Sequence, residues 1–391
     1  MTLHRRDFLR GAALASLGAS LSPEDAGGGR GGVRAGAPRG PDRTPQQVHG
    51  KATHSLLEED HPYIFVDACM QMWPDGDFHH GHRHGVTTYA VTAWDPHATP
   101  ASAMEGILYW HWLSREYPHL PIVRTVQDIR RAKEEGRAGL LLAAQDGDWI
   151  GLELHRLKAF HDLGLRMMLL AYNATNQLAD GCLDRTDGGL TRFGALVVEE
   201  CNRLGIVLDL SHTGKRATLE IAERSTHPCV FSHSNPAARV PNPRNIDDEQ
   251  ILACASRGGV VGLCSWGPLV MKPGTRGRPD VDDYIDLMDH VAQRTGGTEA
   301  IGMSTDLSIG TYPQHEADVW GAIPFPNITE QYDRYVTADI TSPERNVEGF
   351  DDYAQIVKVA QRLSERGFSD LDIRRILGEN FLRVFEEVWG A

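Results

Sequence analysis

Short apolar runs recur along this chain, and stretches whose apolar positions repeat every three or four residues lie between them. The runs at 63–66, 87–93, 139–144, 165–171, 206–210, 229–231, 259–264 and 300–303 are rich in β-branched and aliphatic residues and read as strands. Helical spacing occupies 102–117, 126–135, 151–163, 191–204, 215–224, 247–257 and 281–294, and again 351–366 and 369–389. Strict alternation of strand and helix predicts a parallel sheet covered by helices. Eight such units predict closure into a (β/α)8 TIM barrel, placed as a single domain over residues 56–391. No GxGxxG follows the first strand, so the pattern gives no support to a dinucleotide-binding fold.

The stretch 205–262 organises the rest. Two of its apolar runs, 206–210 and 229–231, each end in Ser-His, and a helical segment separates them. In a parallel βαβ unit both strand ends face one rim, which sets His212 beside His233. Paired imidazoles on such a rim can hold a metal or place a base, although a single Ser-His more often only caps its strand. The other strand ends supply Asp67, Cys69 and Gln71, then Gln145, Asp146 and Asp148, then Tyr172 and Asn173, then Ser265 and Trp266, and last Asp306. Two histidines and an aspartate on strands five, six and eight suit metal-assisted amide or ester hydrolysis. Neutral imidazoles hold Zn²⁺, the ion acidifies a bound water, and a carboxylate steers the proton.

Composition narrows the partners. The 391 residues carry a formal net charge of −14, which argues against a nucleic-acid partner but identifies no other; the small-molecule substrate is read from the rim chemistry above. The six cysteines are scattered without a CxxC and read as small buried hydrophobes. Residues 1–22 place Arg5-Arg6 before Phe8, Leu9 and a mild apolar stretch, resembling a twin-arginine export signal too short to span a membrane. Export to the periplasm or the extracellular space is therefore expected. Residues 23–55 are rich in Gly, Arg and Pro and read as a disordered linker. The run DGDFHHGHRH at 75–84 puts His79, His80, His82 and His84 close to the rim. Trp149 and Trp266 are placed to wall a pocket, and 311–343 reads as a long loop over the rim.

Several motifs, in order, resemble the membrane (renal) dipeptidases. They are DLSH at 209–212, FSHS at 231–234, PRNIDDEQI at 243–251, GGVVGL at 258–263, IGMSTD at 301–306 and GENFLRVFEEV at 378–388. The resemblance implies a zinc peptidase on a (β/α)8 barrel, a dipeptide substrate and a possible homodimer. By the same resemblance His212 and His233 are ligands of one of two zinc ions. Arg244, followed by Asn245, matches the motif that grips the substrate carboxylate, and Asp306 matches the catalytic aspartate.

The other half of that pattern departs. Cys69 stands where the family has a histidine, Gln71 where it has an aspartate, and Gln145 where a glutamate bridges the two ions. Tyr172 occupies the place of a histidine that polarises the scissile carbonyl. A glutamine is neutral and offers one carbonyl oxygen, so it cannot bridge two cations as a carboxylate does. The expectation is one zinc rather than two, or none at all, with Asp306, Gln145 or Cys69 as further ligand candidates and with Asp146 and Asp148 as stand-ins for the missing bridge. Three functions remain open on sequence grounds: an exported dipeptidase-like hydrolase, a non-catalytic binder of small carboxylates, and a mononuclear enzyme of another class with Tyr172 as acid.

Overall fold

The unbroken apolar run GLLLAA forms β3 (Gly139–Ala144), buried along its whole length. That is how a parallel strand covered on both faces reads. The computed structural model describes residues 63–275, 277–310 and 343–390, all inside a unit spanning Ala52–Ala391. The expected export signal, linker and all but the end of the long loop lie outside those residues. The remaining strands are β1 (Phe65–Met72), β2 (Val86–Thr92), β4 (Leu165–Leu169), β5 (Val207–Asp209), β6 (Val230–Phe231), β7 (Val260–Cys264), β8 (Ile301–Ser304) and β9 (Ser308–Ile309).

Their order is β8-β7-β6-β5-β4-β3-β2-β1-β9, and every pairing is parallel. Because β9 continues the chain just beyond β8, the two ends of the sheet meet. The Gln71 amide donates to the Leu307 carbonyl at 2.9 Å, and the Asp306 amide donates to the Cys69 carbonyl at 2.9 Å. The structure is the (β/α)8 barrel that the alternation predicts.

Two strand residues do the lacing. Asp67 Oδ1 accepts from the Thr305 amide at 2.9 Å, and its other oxygen accepts from the Tyr353 hydroxyl at 2.7 Å and from Thr305 Oγ1. Asp209 repeats the device, accepting from the Ser211 and Ser232 amides at 3.0 and 2.9 Å. This satisfaction lets β1 run six residues beyond the expected end at Val66, through polar positions that broke the apolar pattern. Burial pushes the Asp67 carboxyl up to about 6, against these hydrogen bonds.

The barrel interior holds Val66, Ala68, Ala90, Leu141, Ala143, Met167, Val207, Val230 and Val260. Phe381 and Phe385 of the last helix, Asn380–Trp389, join that cluster and plug it. Gly302 makes room, since a Cβ there would lie 2.3 Å from the Phe381 ring. The expected helix at 369–389 is divided: Asp370–Arg374, a π turn over Arg375–Glu379, then Asn380–Trp389. Gly378 within the π turn packs against the Ile64 carbonyl, too closely for a side chain. The expected helix at 151–163 starts only at His155, because a 3₁₀ turn over Asp148–Ile150 and a positive φ at Gly151 precede it.

Candidate functional site

Each Ser-His lies just past its strand, and the two imidazoles meet. His212 Nε2 lies 2.7 Å from His233 Nε2, and both side chains are buried. The far nitrogens are committed. His212 Nδ1 lies 2.7 Å from Asn173 Oδ1, which can only accept, so Nδ1 carries the proton. Ser232 Oγ donates to Asp209 Oδ2 and so accepts from His233 Nδ1 at 2.6 Å. Both Nε2 atoms therefore present bare lone pairs to each other. Burial holds both imidazoles well below their ordinary pKa, and the Arg244 charge adds to it. A proton between the two nitrogens is thus disfavoured, and a divalent cation fits: its two donors are deprotonated, oriented by their other nitrogens and facing each other.

Arg244 lies beside this pair. Its Nη2 donates to the His233 carbonyl at 3.1 Å, whereas buried Nη1 meets no hydrogen-bond acceptor among the described residues. Arg244 and His212 line a cavity of about 330 Å³, with Cys182, Thr213, Lys215 and Asn245. Asn245 spends its amide on the Val240 and Leu269 carbonyls, at 2.9 and 3.1 Å, and so shapes the loop that carries Arg244. Tyr172 stacks on the His212 ring with centroids 4.0 Å apart. Asp306, with φ of 53°, is held through its backbone by Cys69 and by Arg345, whose Nη2 reaches its carbonyl at 2.7 Å. Burial raises its carboxyl, while the Arg345 and Arg244 charges pull it down.

The β1–β3 side is different chemistry. Gln145 Nε2 donates to Cys69 Sγ at 3.0 Å and to Thr92 Oγ1 at 2.9 Å. Burial, and then the Asp306 charge, pushes the Cys69 thiol well above its ordinary range, so it stays protonated. Gln71 Oε1 accepts from Ser308 Oγ at 3.4 Å. These three side chains satisfy one another or their neighbours and bring no negative charge to the rim. Asp146 and Asp148 turn away from Gln145 to His97, a residue that the sequence reading passed over. His97 Nδ1 lies 2.7 Å from Asp148 Oδ2, and its backbone amide donates to Asp146 Oδ2. Burial and the neighbouring Asp148 charge push the Asp146 carboxyl up to about 7. Reading the residues after β2 as rim positions, as for the other strands, would have found His97.

The two tryptophans part company. Trp149 is fully buried against Trp94 and Phe160, so it belongs to the core and not to a pocket wall. Trp266 is partly exposed beyond β7, bridged to Asn346. In the histidine-rich run, His80 binds Asp352 at 2.8 Å and His79 stacks on His119 at 3.5 Å. All six cysteines are free thiols, five of them buried. Among the described residues no helix is long and apolar enough to cross a membrane.

Comparison with known proteins agrees with this architecture. The model of the membrane dipeptidases, peptidase family M19, matches residues 84–331. An uncharacterized dipeptidase of Schizosaccharomyces pombe is 29% identical over 232 residues, 59% of this chain and 48% of that protein. Dipeptidase verJ of Clonostachys rogersoniana is 26% identical over 309 residues, 78% of this chain and 69% of its own length. The match thus spans about half of the fission-yeast protein. Among solved structures, an amidohydrolase from Pseudomonas aeruginosa superposes with a TM-score of 0.75 at 28% identity, covering 86% of this chain and all of its own. The probable dipeptidase PvdM of the same organism gives 0.69 at 20% identity, over 85% and 97%, a likeness of fold.

Proposed function

Because this chain belongs to the membrane dipeptidase family, peptidase family M19, we propose that it is a metal-dependent hydrolase of a dipeptide or a related small amide, working with one zinc ion at the His212–His233 pair. The observation that carries this reading is the pair itself, two bare Nε2 atoms 2.7 Å apart with both outer nitrogens committed. A zinc ion bound there would acidify a water to a pKa of about 7 and polarise the scissile carbonyl.

The chain's own residues supply the rest. Arg244 aims Nη1 at the substrate carboxylate, since that guanidinium edge has no acceptor among the described residues. Asp306 takes a proton from the attacking water or holds the substrate ammonium. Tyr172, stacked on His212, keeps that ring in plane and presents a hydroxyl where the family has an imidazole. Support for one ion rather than two comes from Cys69, Gln71 and Gln145: Gln145 donates to the protonated Cys69 thiol, Gln71 accepts from Ser308, and none of the three brings an anionic ligand. We place the reaction outside the cytoplasm on the strength of the Arg5-Arg6 leader pattern alone.

Elemental analysis of purified wild type, His212→Ala and His233→Ala, paired with a dipeptide hydrolysis panel, tests this. Relative to wild type, both variants should lose one zinc equivalent, and the hydrolysis with it. Metal content unchanged by either substitution would refute the zinc assignment. Zinc bound at the pair without cleavage of any dipeptide would leave a metal protein of another reaction class.

A further inference from the structure

A second group of ligand-type side chains converges at the ends of β2 and β3. His97 comes from the loop after β2, and Asp146 and Asp148 from the loop after β3. His97 Nδ1 lies 2.7 Å from Asp148 Oδ2 and 3.9 Å from Asp146 Oδ2. One ligand atom from each residue lies within 4.8 Å of the other two. We propose that His97, Asp146 and Asp148 form a binding site for a divalent cation of the kind that takes mixed nitrogen and carboxylate donors, separate from the imidazole pair.

The unmet valence of the carboxylates carries this. The Asp146 side chain is 0% exposed, yet among the described residues its Oδ1 has no hydrogen-bond partner. Asp148 Oδ1 is also buried and unpartnered. A buried carboxylate oxygen without a partner is costly. A simple His97–Asp148 ion pair would leave Asp146 Oδ1 in the same state, whereas a cation between the three residues can draw on either oxygen of each carboxylate. The charges also balance, two carboxylates and a neutral imidazole against a dication. The His97 side chain is 55% exposed, so outward coordination positions are open to water. One imidazole with two carboxylates suits Mn²⁺, Zn²⁺ or Co²⁺.

The two sites share a wall. Tyr172 stacks on His212 at 4.0 Å and meets His97 edge-on at 6.2 Å. The proposed site stands on geometry that owes nothing to the His212–His233 reading, and the experiment keeps the two apart.

The test uses the full chain carrying His233→Ala, which disables the imidazole pair. Mn²⁺ is the probe, because the histidine-rich run at 79–84 would retain Zn²⁺ nonspecifically whereas Mn²⁺ prefers carboxylates. Titration followed by the free Mn²⁺ resonance should show one saturable site. Adding Asp148→Asn or His97→Gln, both at solvent-accessible positions, should weaken it at least about tenfold. A thermal melt of each variant confirms that it is folded. Asp146→Asn should do the same if it folds, and the conclusion does not depend on it. No saturable Mn²⁺ binding, or binding unchanged in both Asp148→Asn and His97→Gln, overturns the proposal. Loss of zinc at the imidazole pair would leave it untouched.

Discussion

His212 Nε2 faces His233 Nε2 at 2.7 Å, and neither atom carries a proton to share. Two lone pairs at that distance repel unless a cation lies between them. Zinc added to chelator-treated protein should therefore raise its thermal midpoint. At a free concentration of 100 Kd the gain is about 2.7 kcal/mol. His233→Ala should remove the part of the increment that the pair supplies, and a full increment in that variant would place the ion elsewhere.

Arg244 offers a second measurement. Replacement by Met should lower kcat/KM for free dipeptides roughly tenfold to hundredfold, the worth of a hydrogen bond to a charged group. Dipeptide amides lack the carboxylate, so wild type and variant should cleave them at similar rates. An equal loss on both substrates would mean that Arg244 acts through its bond to the His233 carbonyl instead.

Gln145→Glu alone should not add a zinc equivalent, because Cys69 and Gln71 still supply no imidazole and no carboxylate beside it. The triple variant Cys69→His, Gln71→Asp and Gln145→Glu should add one, read by elemental analysis. A gain from the single substitution would show that one bridging charge suffices.

Asp67 predicts a pH dependence of stability. Its folded pKa of about 6 lies above the ordinary 3.8. The folded state therefore holds its proton more tightly than the unfolded chain does. This stabilising contribution is complete below about pH 4 and is lost as pH rises through about 6, at most about 3 kcal/mol in all. Asp67→Asn keeps one oxygen as acceptor for the Thr305 amide and cannot ionise, so it removes the loss. Urea midpoints should show the variant gaining on wild type from pH 4 to pH 7, and a constant difference would count against the shift.

Phe381→Ala should cost about 3–5 kcal/mol in urea denaturation, since it empties the plug of the barrel interior. Gly302 leaves a space matched to that ring. A loss near 1 kcal/mol would mean that the barrel closes without the last helix.

Backbone strain marks the rim independently. The four non-glycine residues with positive φ among those described are His97, Asn173, His212 and Asp306. Such conformations cost about 1–3 kcal/mol each and persist only where surroundings enforce them. Three were named from sequence as rim residues, and His97 was not. The helices expected at 151–163 and 369–389 are interrupted by turns that the pattern did not show. The limits of most strands, and of helices such as 126–135 and 215–224, were legible to within two residues, because the strands are buried on both faces and those helices keep one apolar stripe. The end of β1 was not, since Asp67 is tolerated there only because Thr305 and Tyr353, distant in sequence, satisfy it.

By itself the sequence determined the barrel, the family and the placing of His212, His233 and Asp306 on one rim, and its motifs singled out Arg244. Periodicity and motif order are local properties and survive without coordinates. Only the tertiary structure decided which nitrogen of each histidine is bare, that Gln145 turns its amide to Cys69, and that Asp146 and Asp148 meet His97. Those outcomes depend on hydrogen-bond partners drawn from different strands, and loop closure alone brings them within reach.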